Sequence, residues 1–168
     1  MIEHGRIETP IGALQVFATN GALVLIDLRD DAAAAREQVR GRFPGEPMLA
    51  HEDPAGCAAA LRRYFAGDLS ALDVLQVDPG GTPFQASVWR ALRAIRPGTT
   101  ISYRELAERI GAPQAVRAVG AANGANPVPI VIPCHRVIGT NGKLVGYGGG
   151  IERKDWLLRH EGWRPLAR

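Results

Sequence analysis

At 168 residues the chain can form one or two small domains with a proper buried core, and its 46% hydrophobic and 22% charged content is that of an ordinary globular protein. No apolar run approaches the ~20 residues that span a bilayer, so no membrane partner is expected. The net charge of +3 conceals a segregation: residues 1–80 hold 7 Arg against 12 Asp and Glu (net −5), and residues 81–168 hold 13 Lys and Arg against 5 acids (net +8).

A basic half joined to an acidic one favours a nucleic-acid partner for the basic half over a merely soluble basic surface. The opening Met1-Ile2-Glu3-His4-Gly5-Arg6 has no apolar run behind a basic start, so no signal peptide is expected. Two cysteines, Cys57 and Cys134, make neither a disulfide framework nor a cysteine-rich zinc site. Reducing cytoplasm is the expected compartment.

Residues 1–8 alternate polar and apolar side chains, and Thr9-Pro10-Ile11-Gly12 supplies a turn. Residues 13–18 and 22–28 are apolar runs around Thr19-Asn20-Gly21, a strong hairpin signal, so three short antiparallel strands are expected. Residues 32–42, rich in alanine and charge, should be helical, and 45–52 a loop. A second helix is expected over 54–65, with Leu61, Tyr64 and Phe65 at helical spacing and Gly67 as its stop. Cys57 lies in it without a histidine or basic cluster beside it, and reads as core. Residues 72–77 suit a further strand. Asp78-Pro79-Gly80-Gly81-Thr82-Pro83 is the best linker, and the charge balance changes there. An α+β chain is expected, with a small first domain over 1–80 carrying an antiparallel sheet and helices, and a mainly helical second domain over 81–168.

Phe84, Val88, Leu92 and Ile95 recur at three- and four-residue intervals, so 84–95 is an amphipathic helix ended by Arg96-Pro97-Gly98. Ser102 caps the next helix, 103–110, with Glu105 three residues on in the capping-box arrangement and Leu106 and Ile110 on the buried side. Gly111-Ala112-Pro113 breaks it, and 114–123 form another. Helix, glycine-bearing turn, helix is the outline of a helix-turn-helix, a weak signal alone. The second of these helices is built of small residues, with Arg117 standing out. Such a face suits close packing on another helix. Within the basic half it suits a DNA groove better, and base flipping needs a side chain to fill the vacated stack.

Asn126-Pro127-Val128-Pro129-Ile130 leads, on a path fixed by two prolines, into Ile132-Pro133-Cys134-His135-Arg136-Val137. Cysteine attacks as thiolate, and adjacent imidazole and guanidinium groups lower a thiol pKa. On these residues alone, a nucleophile and a small buried hydrophobe are equal readings of Cys134. Gly139-Thr140-Asn141-Gly142 is a turn. Gly146-Tyr147-Gly148-Gly149-Gly150 is a flexible loop, either a plain linker or one wall of a pocket whose backbone can approach a planar ligand. Residues 152–160 form the last helix, with Trp156 and Leu157 buried. Glu161 at its end would ordinarily be solvated. His4, His51, His135 and His160 are scattered without metal spacing, and no phosphate-binding glycine loop or dinucleotide fingerprint is present.

These blocks resemble the O6-alkylguanine-DNA alkyltransferases, also called methylated-DNA–protein-cysteine methyltransferases. The resemblance rests on Asn126-Pro127-Val128-Pro129-Ile130 and Pro133-Cys134-His135-Arg136-Val137-Ile138-Gly139. Ser102-Tyr103, Ala115-Val116-Arg117-Ala118-Val119-Gly120, Gly146-Tyr147-Gly148-Gly149-Gly150 and Leu157-Leu158-Arg159-His160-Glu161-Gly162 support it, in the family's order over residues 83–163, about half the chain. Residues 1–80 match in general layout.

The resemblance implies DNA repair by direct reversal of damage. An O6-alkylguanine (and also O4-alkylthymine) is flipped out of the duplex, and its alkyl group passes irreversibly, once per protein, to Cys134. It implies that His135 acts through a water as base for the thiol, that Glu161 orients His135, and that Asn126 braces the turn behind the cysteine. It places Tyr103, Arg117, Ala118 and Gly120 on the DNA, with Arg117 in the vacated stack. Tyr103, Val137, Tyr147 and Gly148 would surround the flipped base. Some members carry a serine where this chain has Gly148, which leaves contacts to the O6 atom to the backbone. Some bind zinc through N-terminal cysteines and histidines; residues 1–80 offer only Cys57, His4 and His51, so neither metal nor cofactor is expected.

The partner implied is double-stranded DNA containing alkylated guanine, met by a monomer that could cluster along it. Two other readings stay open. One is a non-catalytic helix-turn-helix DNA-binding protein with Cys134 as an alkylation or redox sensor. The other, a hydrolase using Cys134 and His135, leaves the basic half unexplained.

Overall fold

The computed structural model describes residues 1–165. The chain divides into two compact units, Met1–Gly80 and a second beginning at Gly81, and is mixed α+β as expected.

In the first unit β1 (Ile2–Thr9), β2 (Gly12–Thr19) and β3 (Ala22–Asp27) form an antiparallel meander. Asn20 and Gly21 both take positive φ, 51° and 75°, as a tight hairpin turn requires. The helix α1 (Ala32–Arg42) starts on Asp31, whose carboxylate accepts from the Ala34 N–H at 3.0 Å. Two stretches differ from expectation. The loop read over 45–52 contains β4 (Met48–Ala50), which pairs parallel with β1. Residues 72–77 are not one strand: Ala71–Val74 is a 3-10 turn, and only β5 (Gln76–Val77) pairs, parallel to β3. The second helix is also shorter than read. Pro54–Gly56 is a separate 3-10 turn with Ala55 at φ 51°, and α2 spans Cys57–Phe65.

The strand order β4-β1-β2-β3-β5 makes β2 central. Every residue from 13 to 19 is buried, which is why that run is mostly apolar rather than alternating; its two polar members, Gln15 and Thr19, are hydrogen-bonded to Asp30 and to the Met1 carbonyl. Ile2, Phe17, Val24 and Leu25 pack with Ala35 and Val39 of α1 in the core. Cys57 is fully buried, and burial pushes its thiol up to about 12, so it is inert as a nucleophile.

In the second unit α3 (Pro83–Arg93) starts on a complete capping box: the Thr82 hydroxyl accepts from the Gln85 N–H at 3.1 Å, and the Gln85 side chain accepts from the Thr82 N–H at 3.0 Å. Two-residue β6 (Ile101–Ser102) runs directly into α4 (Tyr103–Arg109). Only half of the box expected at Ser102 forms. Its hydroxyl accepts from the Glu105 N–H at 3.0 Å, but the Glu105 carboxylate pairs with Arg109 at 2.9 Å instead. The helix α5 (Val116–Gly124) packs with α3 and α4, and Val88, Leu92, Leu106, Val119 and Ala122 of the three helices are buried. The Trp89 indole N–H donates to the Ala122 carbonyl at 2.8 Å.

Strand β7 (Val137–Ile138) pairs parallel with β6, Ile101 opposite Val137. That ladder sets Tyr103, the next residue after β6, beside the cysteine loop. Along α6 (Ile151–His160) the inward residues are Lys154, Leu157 and Leu158. Trp156, expected inside, is only partly buried and stacks on His160. Among the described residues no helix is long and apolar enough to cross a membrane.

Candidate active site

Asn126 holds the path from α5 to the cysteine. Its Nδ2 donates to the Ile132 carbonyl at 2.7 Å and its Oδ1 accepts from the Val128 N–H at 2.9 Å. The Ile132 N–H also donates to the Val128 carbonyl at 2.9 Å. Between these brackets Ile130 takes φ 73°, a costly conformation for a β-branched residue that persists because the side chain is buried and the chain on both sides is pinned. The loop then tightens into a 3-10 turn, Cys134–Arg136, all three residues of which are buried.

Behind Cys134 lies a buried relay. His135 Nε2 is 3.0 Å from Glu161 Oε2, both side chains being fully enclosed. Arg136 forks onto the same carboxylate, Nε to Oε1 at 2.9 Å and Nη2 to Oε2 at 2.8 Å, and its Nη1 donates to the Ile95 carbonyl at 2.6 Å. Glu161 is thus the centre of the cluster, whereas its place at a helix end reads as solvated. Burial alone would raise its carboxyl, but the His135 and Arg136 charges and their hydrogen bonds push it well below the usual carboxylate range.

Burial pushes the His135 imidazole down, against the pull of Glu161, and keeps it neutral. With an ionised acceptor at Nε2, that nitrogen carries the proton and Nδ1 presents its lone pair. Nδ1 is buried and has no hydrogen-bond partner among the described residues.

The Cys134 thiol itself is pushed up by burial, opposed by the Asn126 side chain and the Lys154 charge. The expectation that Arg136 lowers this thiol is corrected: its guanidinium is directed at Glu161, and the cation that acts on the sulfur is Lys154. The resting site therefore holds a neutral thiol, a neutral imidazole and a carboxylate. A proton passed from sulfur to Nδ1 would leave a thiolate beside an imidazolium already paired with Glu161.

Three contributors escaped sequence reading. Lys154 is fully buried, and its Nζ donates to the carbonyls of Val137 at 2.7 Å and Val145 at 2.8 Å; burial pulls it down to about 8, against the attraction of Cys134. Its signal lay in spacing, since Lys154, Leu157, Leu158 and Glu161 fall at i, i+3, i+4 and i+7, on one helix face. Arg136 was visible as a charge but not as the Glu161 partner. Gly98 takes φ 84°, and a Cβ there would sit 2.8 Å from the Glu161 carbonyl oxygen, so only glycine lets this turn approach the relay.

The other expected site residues lie around this centre. Tyr103 is partly buried, and its hydroxyl donates to the Val145 carbonyl at 3.3 Å. The Tyr147 ring meets His135 edge-on with centroids 6.5 Å apart, and its hydroxyl oxygen is buried without a partner among the described residues. Val137 is buried, with its carbonyl held by Lys154. Gly148 is exposed, and a Cβ on it would meet nothing within 4 Å. On α5, Arg117 and Ala118 are exposed and Gly120 lies against the Tyr103 ring, where a Cβ would make ordinary contact at 3.8 Å.

Two family models match the chain: 6-O-methylguanine DNA methyltransferase, ribonuclease-like domain, over residues 2–79, and 6-O-methylguanine DNA methyltransferase, DNA binding domain, over residues 83–163. A methylated-DNA–protein-cysteine methyltransferase of Salmonella typhimurium is 47% identical over 164 residues, covering 96% of both chains. One of Mycobacterium tuberculosis is 48% identical over 172 residues, covering 99% of this chain and 96% of its own. The crystal structure of Mycobacterium tuberculosis OGT in complex with DNA aligns with a TM-score of 0.76 at 40% identity, over 95% of this chain and 92% of that one. The O6-methylguanine-DNA methyltransferase of Pyrococcus kodakaraensis aligns at 0.70 with 27% identity, over 96% and 99%.

Proposed function

The chain belongs to the 6-O-methylguanine DNA methyltransferase family, and on that premise we propose that Cys134 is the sulfur it alkylates. The protein repairs DNA by transferring an alkyl group to a cysteine of its own. The observation that carries the assignment to Cys134 is the enclosed relay: Glu161 on His135 Nε2 at 3.0 Å, with Nδ1 left without a partner among the described residues. His135, acting through a water, takes the thiol proton, and the Glu161 carboxylate stabilises the imidazolium that forms. The Cys134 sulfur attacks the alkyl carbon in line with the bond to O6. The S–C bond forms as the C–O bond breaks, and the electron pair leaves with guanine, which takes up a proton. The product thioether has no proton to lose and is not a leaving group under these conditions, so each protein acts once.

Asn126 positions the cysteine turn. Lys154 favours the thiolate by its charge and ties the loop at Val145 to the site. The base enters beside Tyr103, Val137, Tyr147 and Gly148, and the exposed side of α5, with Arg117 and Ala118, faces the duplex together with Gly120. The partner is alkylated double-stranded DNA, met in the cytoplasm by a monomer that can line up in copies along it.

Titration tests the single use. Guanine restored from an excess of O6-methylguanine duplex is expected to plateau at one per protein; continued turnover would contradict the mechanism. Arg117 gives a second expectation. Flipping a base costs a few kcal/mol, so losing the side chain that fills its place should slow repair of duplex by about tenfold or more. Arg117→Ala should leave transfer from the free alkylated base unchanged, and equal slowing of both substrates would remove Arg117 from flipping.

A further inference from the structure

Asn123 is a buried polar side chain to which the mechanism above gives no task. It sits on the inner face of α5, 5% exposed, and its Nδ2 donates to the Cys134 carbonyl at 3.4 Å. The opposite orientation of the amide would set carbonyl against carbonyl, so the Cys134 oxygen fixes which end is which. That oxygen also accepts from the Val137 N–H and is fully used. Oδ1 is left as a buried acceptor without a partner among the described residues. A leucine would fill nearly the same volume without stranding an acceptor, so packing alone does not account for the amide. The Cys134 carbonyl takes one Nδ2 hydrogen, and the second is left for another acceptor.

The Tyr103 phenol is that acceptor. Gly120, one turn before Asn123, lies against the Tyr103 ring, where a Cβ would come 3.8 Å from Cδ1, and the i, i+3 spacing puts both residues on the side of α5 that the ring covers. Burial and the Cys134 charge push the Tyr103 phenol up, and a hydrogen bond from Asn123 draws it down. A donor acts in that direction because it favours the phenolate. The phenol O–H itself donates to the Val145 carbonyl at 3.3 Å, longer than the roughly 2.8 Å of a well-formed O–H···O bond. It is free to turn from Val145 to a ligand while Asn123 keeps hold of the oxygen. The transfer needs such a proton, since guanine departs with the electron pair of the C–O bond. We propose that Asn123 is a positioning residue for Tyr103: its two Nδ2 hydrogens bridge the Cys134 carbonyl and the phenol oxygen, and so hold Tyr103 to protonate the departing guanine. The phenol O–H breaks as an N–H forms on the guanine ring; the phenolate keeps the electron pair, is stabilised by Asn123, and regains a proton from solvent. The thiol proton goes to His135, so the two proton transfers are separate. The assignment rests on alkyl transfer to Cys134.

The test is a double-variant cycle on methyl transfer from O6-methylguanine duplex, read as mass gain on the protein in single turnovers at saturating duplex. The rate constant measured in this way does not depend on how much of a variant is folded. Asn123→Leu and Asn123→Ala are each made in the native chain and in Tyr103→Phe, which keeps the ring and lacks the hydroxyl. In the native chain both should slow transfer about tenfold or more, as loss of a hydrogen bond to a charged group does. In Tyr103→Phe either should slow it by less than about twofold, because the group through which Asn123 acts is already gone. Equal slowing in both backgrounds, or none in the native chain, overturns the role of Asn123 and leaves alkyl transfer standing. No mass gain by the native protein overturns alkyl transfer, and this assignment with it.

Discussion

Arg136→Met is expected to destabilise the protein by about 3–5 kcal/mol, because it strands the Glu161 carboxylate in a site closed to water. Both carboxylate oxygens face the guanidinium, at 2.8 and 2.9 Å, and neither partner has appreciable access to solvent. Replacing both members, Arg136→Met with Glu161→Leu, should recover much of the loss, since a packed apolar pair carries no desolvation penalty. Thermal melts of the two variants check this; a double variant as unstable as the single would show that the pair is not the cause.

The same cluster sets an acid limit. The Glu161 carboxyl lies below its ordinary 4.5 in the folded protein, so its contribution to stability is complete above about pH 4.5 and is lost as the pH falls from there. In Arg136→Met that acid dependence should flatten.

Glu161→Gln should slow alkyl transfer by about a hundredfold or more, with DNA affinity unchanged. The amide keeps the shape and can still accept from His135 Nε2, but it offers no full charge to the imidazolium that forms when Nδ1 takes the thiol proton. Single-turnover rates at a temperature where the variant remains folded give the answer. A rate equal to that of the native protein would remove Glu161 from the relay.

How much of this was legible in the residues depended on the range of the interactions. The meander β1–β3 was readable because its period, its Asn20-Gly21 turn and its apolar runs are local signals. The helices followed from spacing and breakers, to within one to three residues at most ends. Strand β4 was not readable, and β5 was read too long, as 72–77. They are three and two residues long, and each is a strand only because it lies parallel to a distant edge.

At the site, the Cys134 block stood out by composition. Its electrostatics did not, since the partner of a charge is set by the fold. Arg136 looked like an activator of its neighbour and instead grips an acid 25 residues away. Glu161 looked like a surface residue because a helix end is usually wet. Trp156 went the other way: its size suggested core, but the inward stripe of α6 runs through Lys154, Leu157 and Leu158.

The most direct test of the central claim is the mass of the tryptic peptide containing Cys134 after incubation with duplex carrying one O6-methylguanine. The protein is expected to gain one methyl group, about 14 Da, on that peptide and none on the peptide containing Cys57, and Cys134→Ser should gain nothing. A methyl group found elsewhere, or a Cys134 peptide of unchanged mass after incubation with damaged duplex that the protein demonstrably binds, would contradict the account.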